Sequence, residues 1–198
     1  MEPIILASDS PRRQDFFRLL GLPFTCIPAR IDETPRQGLS PLQVAEDLAL
    51  RKVLTVAESP LPEIPWIFGA DTIVVLGNEI FNKPADRDEA QWMLNRLAGK
   101  RHEVITAMAL YNRAEKKADR RSVSCAVDFA PLSAADITWY LDTGEWEGAA
   151  GAYRLQEAGA CLITSINGSP SAVAGLPLRD FYVMLKDNGY RFGAWASG

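Results

Sequence analysis

The chain has 198 residues, 47% of them hydrophobic and 23% charged, the make-up of an ordinary globular protein with one core in one domain, at most bilobed. A net charge of −4 argues against a protein that grips a nucleic-acid backbone with a basic face. Three widely spaced cysteines (Cys26, Cys125, Cys161) and a single histidine, His102, argue against a disulfide framework or a zinc site, and reduced core thiols are expected.

The opening apolar run, Ile4-Ile5-Leu6-Ala7, is short, and its basic pair Arg12-Arg13 follows it, an order and length unlike a signal peptide. No stretch approaches the roughly 20 apolar residues of a membrane helix. A soluble, cytoplasmic protein with no membrane or nucleic-acid partner is expected.

Ile4 to Ala7 reads as a buried strand. Ser8-Asp9-Ser10-Pro11 then gives a cap followed by proline, which starts a helix running to about Leu20 and stopping at Gly21. A second helix is predicted from Pro41 to Ala57, with Leu42, Ala45, Ala49, Val53 and Val56 as its apolar stripe. A proline-rich linker, Ser59 to Pro65, leads to a strand from Trp66 that ends at Asp71 and resumes over Ile73 to Leu76. Gly77-Asn78 reads as a tight turn.

Asp86 caps a helix whose stripe is Ala90, Met93, Leu94 and Leu97 and which ends at Gly99. His102 to Leu110 and Ser122 to Phe129 read as strands of a long hairpin with a polar tip, Asn112 to Arg121. Ser133 and Asp136 open a helix that closes at Gly144, Cys161 to Ile166 is strand-like, and Leu178 to Lys186 is the last helix. The tail from Asn188 is expected to fray. Strands and helices alternate around one hairpin, so the class is α/β with a mixed sheet.

The strongest local signal is Ser8-Asp9-Ser10-Pro11-Arg12-Arg13. A helix start presents unpaired N–H groups and a positive dipole end, so two arginines there are misplaced unless an anion joins them. Phosphate oxygens would suit. The alternative is two solvated arginines paired with Asp9 and Asp15. Asp71 follows Gly69-Ala70 and could hold Mg2+ or take a proton from water, or be a turn aspartate bonded to its own backbone. Asp32-Glu33-Thr34 offers a second carboxylate or a solvated acidic turn. Lys52 lies near the edge of its helix's stripe, where it either snorkels to water or points into a cleft. Lys83-Pro84 fixes another lysine, suited to a phosphate or to the surface. Together these are the parts phosphoryl transfer uses. Neither a P-loop nor a GxGxxG loop is present. His102 opens a strand and reads as structural.

These pieces, taken in order, resemble the Maf family of nucleotide pyrophosphatases. The matching stretches are Leu6-Ala7-Ser8-x-Ser10-Pro11-Arg12-Arg13, Asp32-Glu33-Thr34, Lys52, Gly69-Ala70-Asp71-Thr72 and Asn82-Lys83-Pro84. Leu97-Ala98-Gly99-Lys100-x-His102, Thr143-Gly144-Glu145, Gly151-Ala152-Tyr153-x-Leu155-Gln156, Ile166-Asn167-Gly168-Ser169 and Gly175-Leu176-Pro177-Leu178 continue the series. The resemblance implies a Maf/ITPase-like mixed sheet with flanking helices and two lobes around a central cleft. It implies one domain over residues 1–187 with a tail at 188–198, and a homodimer. The implied reaction is hydrolysis of a nucleoside triphosphate to the monophosphate and pyrophosphate, with Mg2+, Mn2+ or Co2+ as the divalent cation.

Carried over by position, Asp71 is the catalytic carboxylate that activates water, and Glu33 with Asp71 holds the metal. Ser8, Ser10, Arg12 and Arg13 grip phosphates, while Lys52 and Lys83 offset their charge. Arg12, Thr72 and Gln156 match the subgroup resembling dTTP/UTP pyrophosphatases, which implies house-cleaning of dTTP, UTP or modified pyrimidine nucleotides. The alternatives are a related enzyme for purine analogues or 7-methyl-GTP, and a catalytically weak nucleotide-binding regulator of cell division. One departure stands out: the stretch Trp146-Glu147-Gly148-Ala149-Ala150 lacks the Asp-Lys pair usual in the family. The lost lysine bears on affinity and base preference, and Arg154 is a candidate to restore its charge.

Overall fold

The computed structural model describes residues 1–59 and 64–193. In chain order they form β1 (Ile4–Leu6), α1 (Pro11–Leu19), β2 (Phe24–Cys26), α2 (Pro41–Ala57), β3 (Trp66–Leu76), β4 (Glu79–Phe81) and α3 (Arg87–Leu97). There follow β5 (Arg101–Asn112), β6 (Lys117–Phe129), α4 (Ala134–Asp142), β7 (Ile163–Asn167), α5 (Pro170–Val173) and α6 (Leu178–Asp187). Short 3-10 turns lie at Ala150–Ala152 and Ala158–Leu162. The strands make a seven-stranded sheet in the order β2-β1-β3-β5-β6-β7, with β4 paired to β3. Pairing is parallel for β1 with β2 and β3, and antiparallel for β3 with β4 and β6 with β7. This is the expected mixed-sheet α/β class. Among the described residues no helix is long and apolar enough to cross a membrane.

The chain divides into two compact units, Met1–Asp71 with Ala107–Ser122 and Gly175–Gly198, and Thr72–Thr106 with Val123–Ala174. In the first unit, β1 is paired on both edges and buried throughout, which is why its three residues are apolar without alternation. Phe17 of α1, Phe68 of β3 and Phe181 of α6 pack with centroids 4.5 to 5.7 Å apart. Helix α2 begins at a capping box formed by Ser40 and Gln43, with Pro41 in its first turn. Its buried face is Val44, Ala45, Leu48, Ala49, Lys52, Val53 and Val56. Leu42, expected in that stripe, is 41% exposed, because two residues turn the helix by about 200° from Val44.

Gly69 brings α2 against β3: a Cβ there would stand 2.9 Å from Val53 Cγ1 and 3.3 Å from the Ala49 carbonyl. The segment after α6 was expected to fray, yet Tyr190 is buried against Trp66 and donates its hydroxyl to Glu2 O at 2.8 Å.

In the second unit, Phe81, Leu94, Leu97, Val127, Tyr140 and Leu141 share one core. Asp86 caps α3 by accepting from Glu89 N at 2.9 Å, and Ser133 with Asp136 boxes the start of α4. Gly77-Asn78 closes the two-residue turn between β3 and β4 with Gly77 at φ 64°.

Several sequence expectations change. Strand β3 runs unbroken through Asp71, so that residue lies inside a strand and not at its end. The hairpin tip shrinks to residues 113–116, because the polar run Lys117 to Arg121 is itself extended in β6 and only partly buried. Cys161 and Leu162 belong to a 3-10 turn, and the strand starts at Ile163. Cys125 is the buried thiol, whereas Cys26 is half-buried and Cys161 exposed. The predicted linker lies in part outside the described residues, at positions 60–63, as does the end of the tail, at 194–198.

Candidate functional site

Residues alternate faces along a strand, so Gly69 and Asp71 look the same way, toward α2. The glycine admits the helix and the carboxylate two residues on meets it. Lys52, one residue before Val53, places its ammonium 2.5 Å from Asp71 Oδ1. The same Nζ lies 2.8 Å from Glu33 Oε1. The Lys52 and Asp71 side chains are 9% and 11% exposed, that of Glu33 46%. Lysine has neither snorkelled to water nor been left without a counter-charge. Glu33 is carried by a loop fixed at Asp32, whose Oδ1 accepts from Thr34 N at 2.9 Å and whose carbonyl accepts from Arg51 at 2.7 Å.

At the start of α1, Ser10 is the N-cap position and its N–H donates to Ser8 Oγ at 3.2 Å. No acidic residue lies in the first turn of α1. Arg13 is buried, donating Nη1 to Ser8 Oγ at 3.3 Å and Nε to Gly175 O at 3.0 Å. Burial pulls the Arg13 guanidinium below its ordinary range, while the charges of Asp71, Glu33 and Asp9 act the other way. It stays a cation. Arg13 is thus not solvated, and Asp15 pairs instead with Arg18 at 2.6 Å. Arg12 is half-buried on the same turn. The first unit therefore gathers Ser8, Ser10, Arg12 and Arg13 at one helix start, and Glu33, Lys52 and Asp71 around one ammonium, with Arg13 in the electrostatic reach of both carboxylates.

Thr72, Lys83 and Gln156 belong to the second unit. The Thr72 hydroxyl lies 2.9 Å from Thr106 Oγ1, which donates to Ala172 O at 2.8 Å. A hydroxyl has one proton, so Thr72 is the donor in the pair. Lys83 is exposed beyond β4, and the preceding carbonyl, Asn82 O, accepts from Gly151 N at 3.2 Å. Gln156 is exposed between the two 3-10 turns. His102 is structural, as expected: it is buried, its Nε2 is 2.9 Å from Tyr153 Oη, and burial lowers its pKa to about 4. Arg154, the candidate replacement for the missing lysine's charge, is half-buried. Its Nη2 donates to Glu147 O at 2.6 Å, closing its own loop.

Sequence reasoning assigned no role to Glu145, although its motif was visible. Its two oxygens accept from Ala158 N at 3.0 Å and Gly159 N at 3.1 Å. A glutamate after Thr-Gly at a helix end was the only available signal.

Among the described residues no three His, Cys, Asp or Glu side chains gather as a metal site. Glu33 and Asp71, the two carboxylates that meet at the Lys52 ammonium, are the residues that could hold a hard cation.

A dTTP/UTP pyrophosphatase of Symbiobacterium thermophilum is 45% identical to this chain, covering 96% of each. One from Pelotomaculum thermopropionicum is 43% identical over 96% of this chain and 98% of its own. One from Myxococcus xanthus is 41% identical over 94% and 92%. Residues 3–188 match the Maf-like protein family, and the chain belongs to it.

Proposed function

We propose that this protein is a nucleoside triphosphate pyrophosphatase that hydrolyses dTTP and UTP, or modified pyrimidine nucleotides, in a nucleotide house-cleaning role. The observation that carries the reading is the buried Lys52 ammonium held by Asp71 and Glu33 in the unit where Arg13 and Ser8 form a cationic, hydrogen-bonding helix start. The pyrimidine preference is supported by the names of the relatives and by Arg12, Thr72 and Gln156.

In the proposed reaction a water oxygen bonds to the α-phosphorus, the bond from that phosphorus to the bridging oxygen of the β-phosphate breaks, and pyrophosphate leaves. Asp71 takes the proton of the attacking water, with Lys52 fixing the direction of its carboxylate. Ser8, Ser10, Arg12 and Arg13 bind phosphate oxygens through hydroxyl, backbone and guanidinium donors. Lys52 and Lys83 offset the triphosphate charge, and Thr72 and Gln156 select the base. Glu33 and Asp71 would hold a divalent cation, Mg2+ or alternatively Mn2+ or Co2+, which would neutralise phosphate charge and polarise the phosphoryl group. The proposal extends to a homodimer working in the cytoplasm, and light scattering tests the first of these.

The test of the reaction is product analysis with dTTP, UTP, CTP, GTP and ITP. Monophosphate and pyrophosphate in equal amounts, fastest from dTTP or UTP, are expected. Diphosphate with inorganic phosphate would overturn the bond assignment, and a purine preference would overturn the subgroup.

A further inference from the structure

Residues 153–157 have neither helix nor strand, so their backbone groups and those just beyond must find partners elsewhere. Three of the amides find them in side chains distant in sequence. Arg154 N donates to the Tyr140 hydroxyl at 3.2 Å. The two oxygens of Glu145 accept from the consecutive amides of Ala158 and Gly159. Tyr153, which begins the segment, is held by His102 Nε2 and lies edge-on to Phe129 with centroids 4.7 Å apart. The ends of the loop also touch, since a Cβ on Gly159 would stand 2.3 Å from Arg154 O. At the tip of this closed ring Gln156 is exposed.

The Thr143-Gly144-Glu145 motif explains how Glu145 arrives there. Gly144, at φ 75°, turns the chain at the end of α4, and its N–H donates to Leu141 O. Thr143 Oγ1 then accepts from Glu145 N at 3.1 Å, which sets the direction of the next side chain. Each residue type in the motif has a geometric reason.

We propose that Glu145 is a positioning residue for base selection, clamping residues 153–159 so that Gln156 meets the nucleotide from a fixed loop. The proposal rests on the reading of Gln156 as a base contact. A carboxylate bridging two amides makes charge-assisted bonds, stronger than neutral ones. Holding a loop in its binding shape lowers the ordering cost on binding, which favours the base that bonds best to Gln156. Hydrolysis itself, at Asp71, does not pass through the clamp.

Glu145→Gln keeps the side chain's size but replaces one acceptor oxygen by a donor that faces an amide. The experiment measures kcat and KM for UTP and CTP in the wild type, Glu145→Gln, Gln156→Ala and the double variant, with amide exchange followed over residues 153–159. Glu145→Gln is expected to lower the UTP-over-CTP ratio of kcat/KM by about tenfold, through KM, and to speed exchange at Ala158 and Gly159. Gln156→Ala should lower the ratio at least as far, and the double variant no further. If Gln156→Ala shifts the ratio and Glu145→Gln does not, or the two effects multiply, the clamp is overturned while the base contact stands. If Gln156→Ala leaves the ratio unchanged, the underlying reading falls and takes the clamp with it. Should Glu145→Gln fail to fold, Tyr140→Phe removes only the acceptor for Arg154 N. It should lower the ratio less, in the same direction, and an unchanged ratio would overturn the proposal.

Discussion

Replacing Lys52 by methionine removes the ammonium while keeping most of the volume of its stem against α2 and β3. The Lys52 side chain is 9% exposed, and its Nζ stands 2.5 Å from Asp71 Oδ1 and 2.8 Å from Glu33 Oε1. Taking away one partner of a buried pair costs about 3–5 kcal/mol, because the other charge stays behind without compensation. Glu33, nearly half exposed, can turn to water, so its share falls in the surface range of about 0–1 kcal/mol. Arg13 remains as a second cation in the field of Asp71, which moves the total toward the lower end, about 3 kcal/mol. With a urea slope of about 2 kcal/mol/M, the unfolding midpoint at pH 7 should fall by about 1.5 M. The double variant Lys52→Met/Asp71→Asn removes the stranded charge and should recover at least half of that drop. Unfolding followed by circular dichroism reads both. A drop below about 0.5 M, or a double variant no better than the single one, would refute the reasoning.

Three further outcomes follow from the packing. The folded pKa of His102 is lowered to about 4 from 6.5, so the unfolded chain binds the proton first and stability is lost as pH falls from about 6.5 to about 4. Between pH 7.5 and 5 the wild type should lose about 2 kcal/mol more than His102→Gln in urea unfolding, and an equal loss in both would count against the neutral buried histidine. Gly159→Ala forces a Cβ to 2.3 Å from Arg154 O, a backbone atom that cannot swing aside, and should lower stability by about 1–3 kcal/mol or more in the same assay. Ser40→Ala removes the hydroxyl that accepts from Gln43 N and should cost about 1 kcal/mol of thermal or urea stability with the fold unchanged.

The sequence was most informative where a local rule and the tertiary fold agree. Helix α2 begins at Pro41 and ends at Ala57 as read, because its apolar residues recur at helical spacing over that span. The α3 stripe was legible for the same reason. Short elements without a continuous apolar run were not: β2, with three residues, and α5, with four, have no periodicity of their own and exist through pairing and packing. Aspartate is a poor strand former, yet β3 continues through Asp71, with Trp66–Phe68 paired to β1 before it and Val74–Leu76 to β4 after it.

At the site, the helix-start arginines and Asp71 could be singled out, but the partner of Lys52 could not. Its meeting with Asp71 depends on Gly69 letting a helix and a strand approach. The Thr143-Gly144-Glu145 motif shows no task for Glu145, because its partners are backbone amides, which no sequence pattern names.

Asp71 carries the central claim, and the most direct measurement compares wild type with Asp71→Asn, using UTP with Mg2+, for both pyrophosphate release and nucleotide binding. The expected result is a fall in kcat of about 10²–10⁴-fold with UTP affinity kept within severalfold, as befits a residue that takes a proton in the reaction. Turnover near the wild-type rate would contradict the role of Asp71. Loss of binding together with activity, in a variant that is still folded, would make it a binding group and not the base.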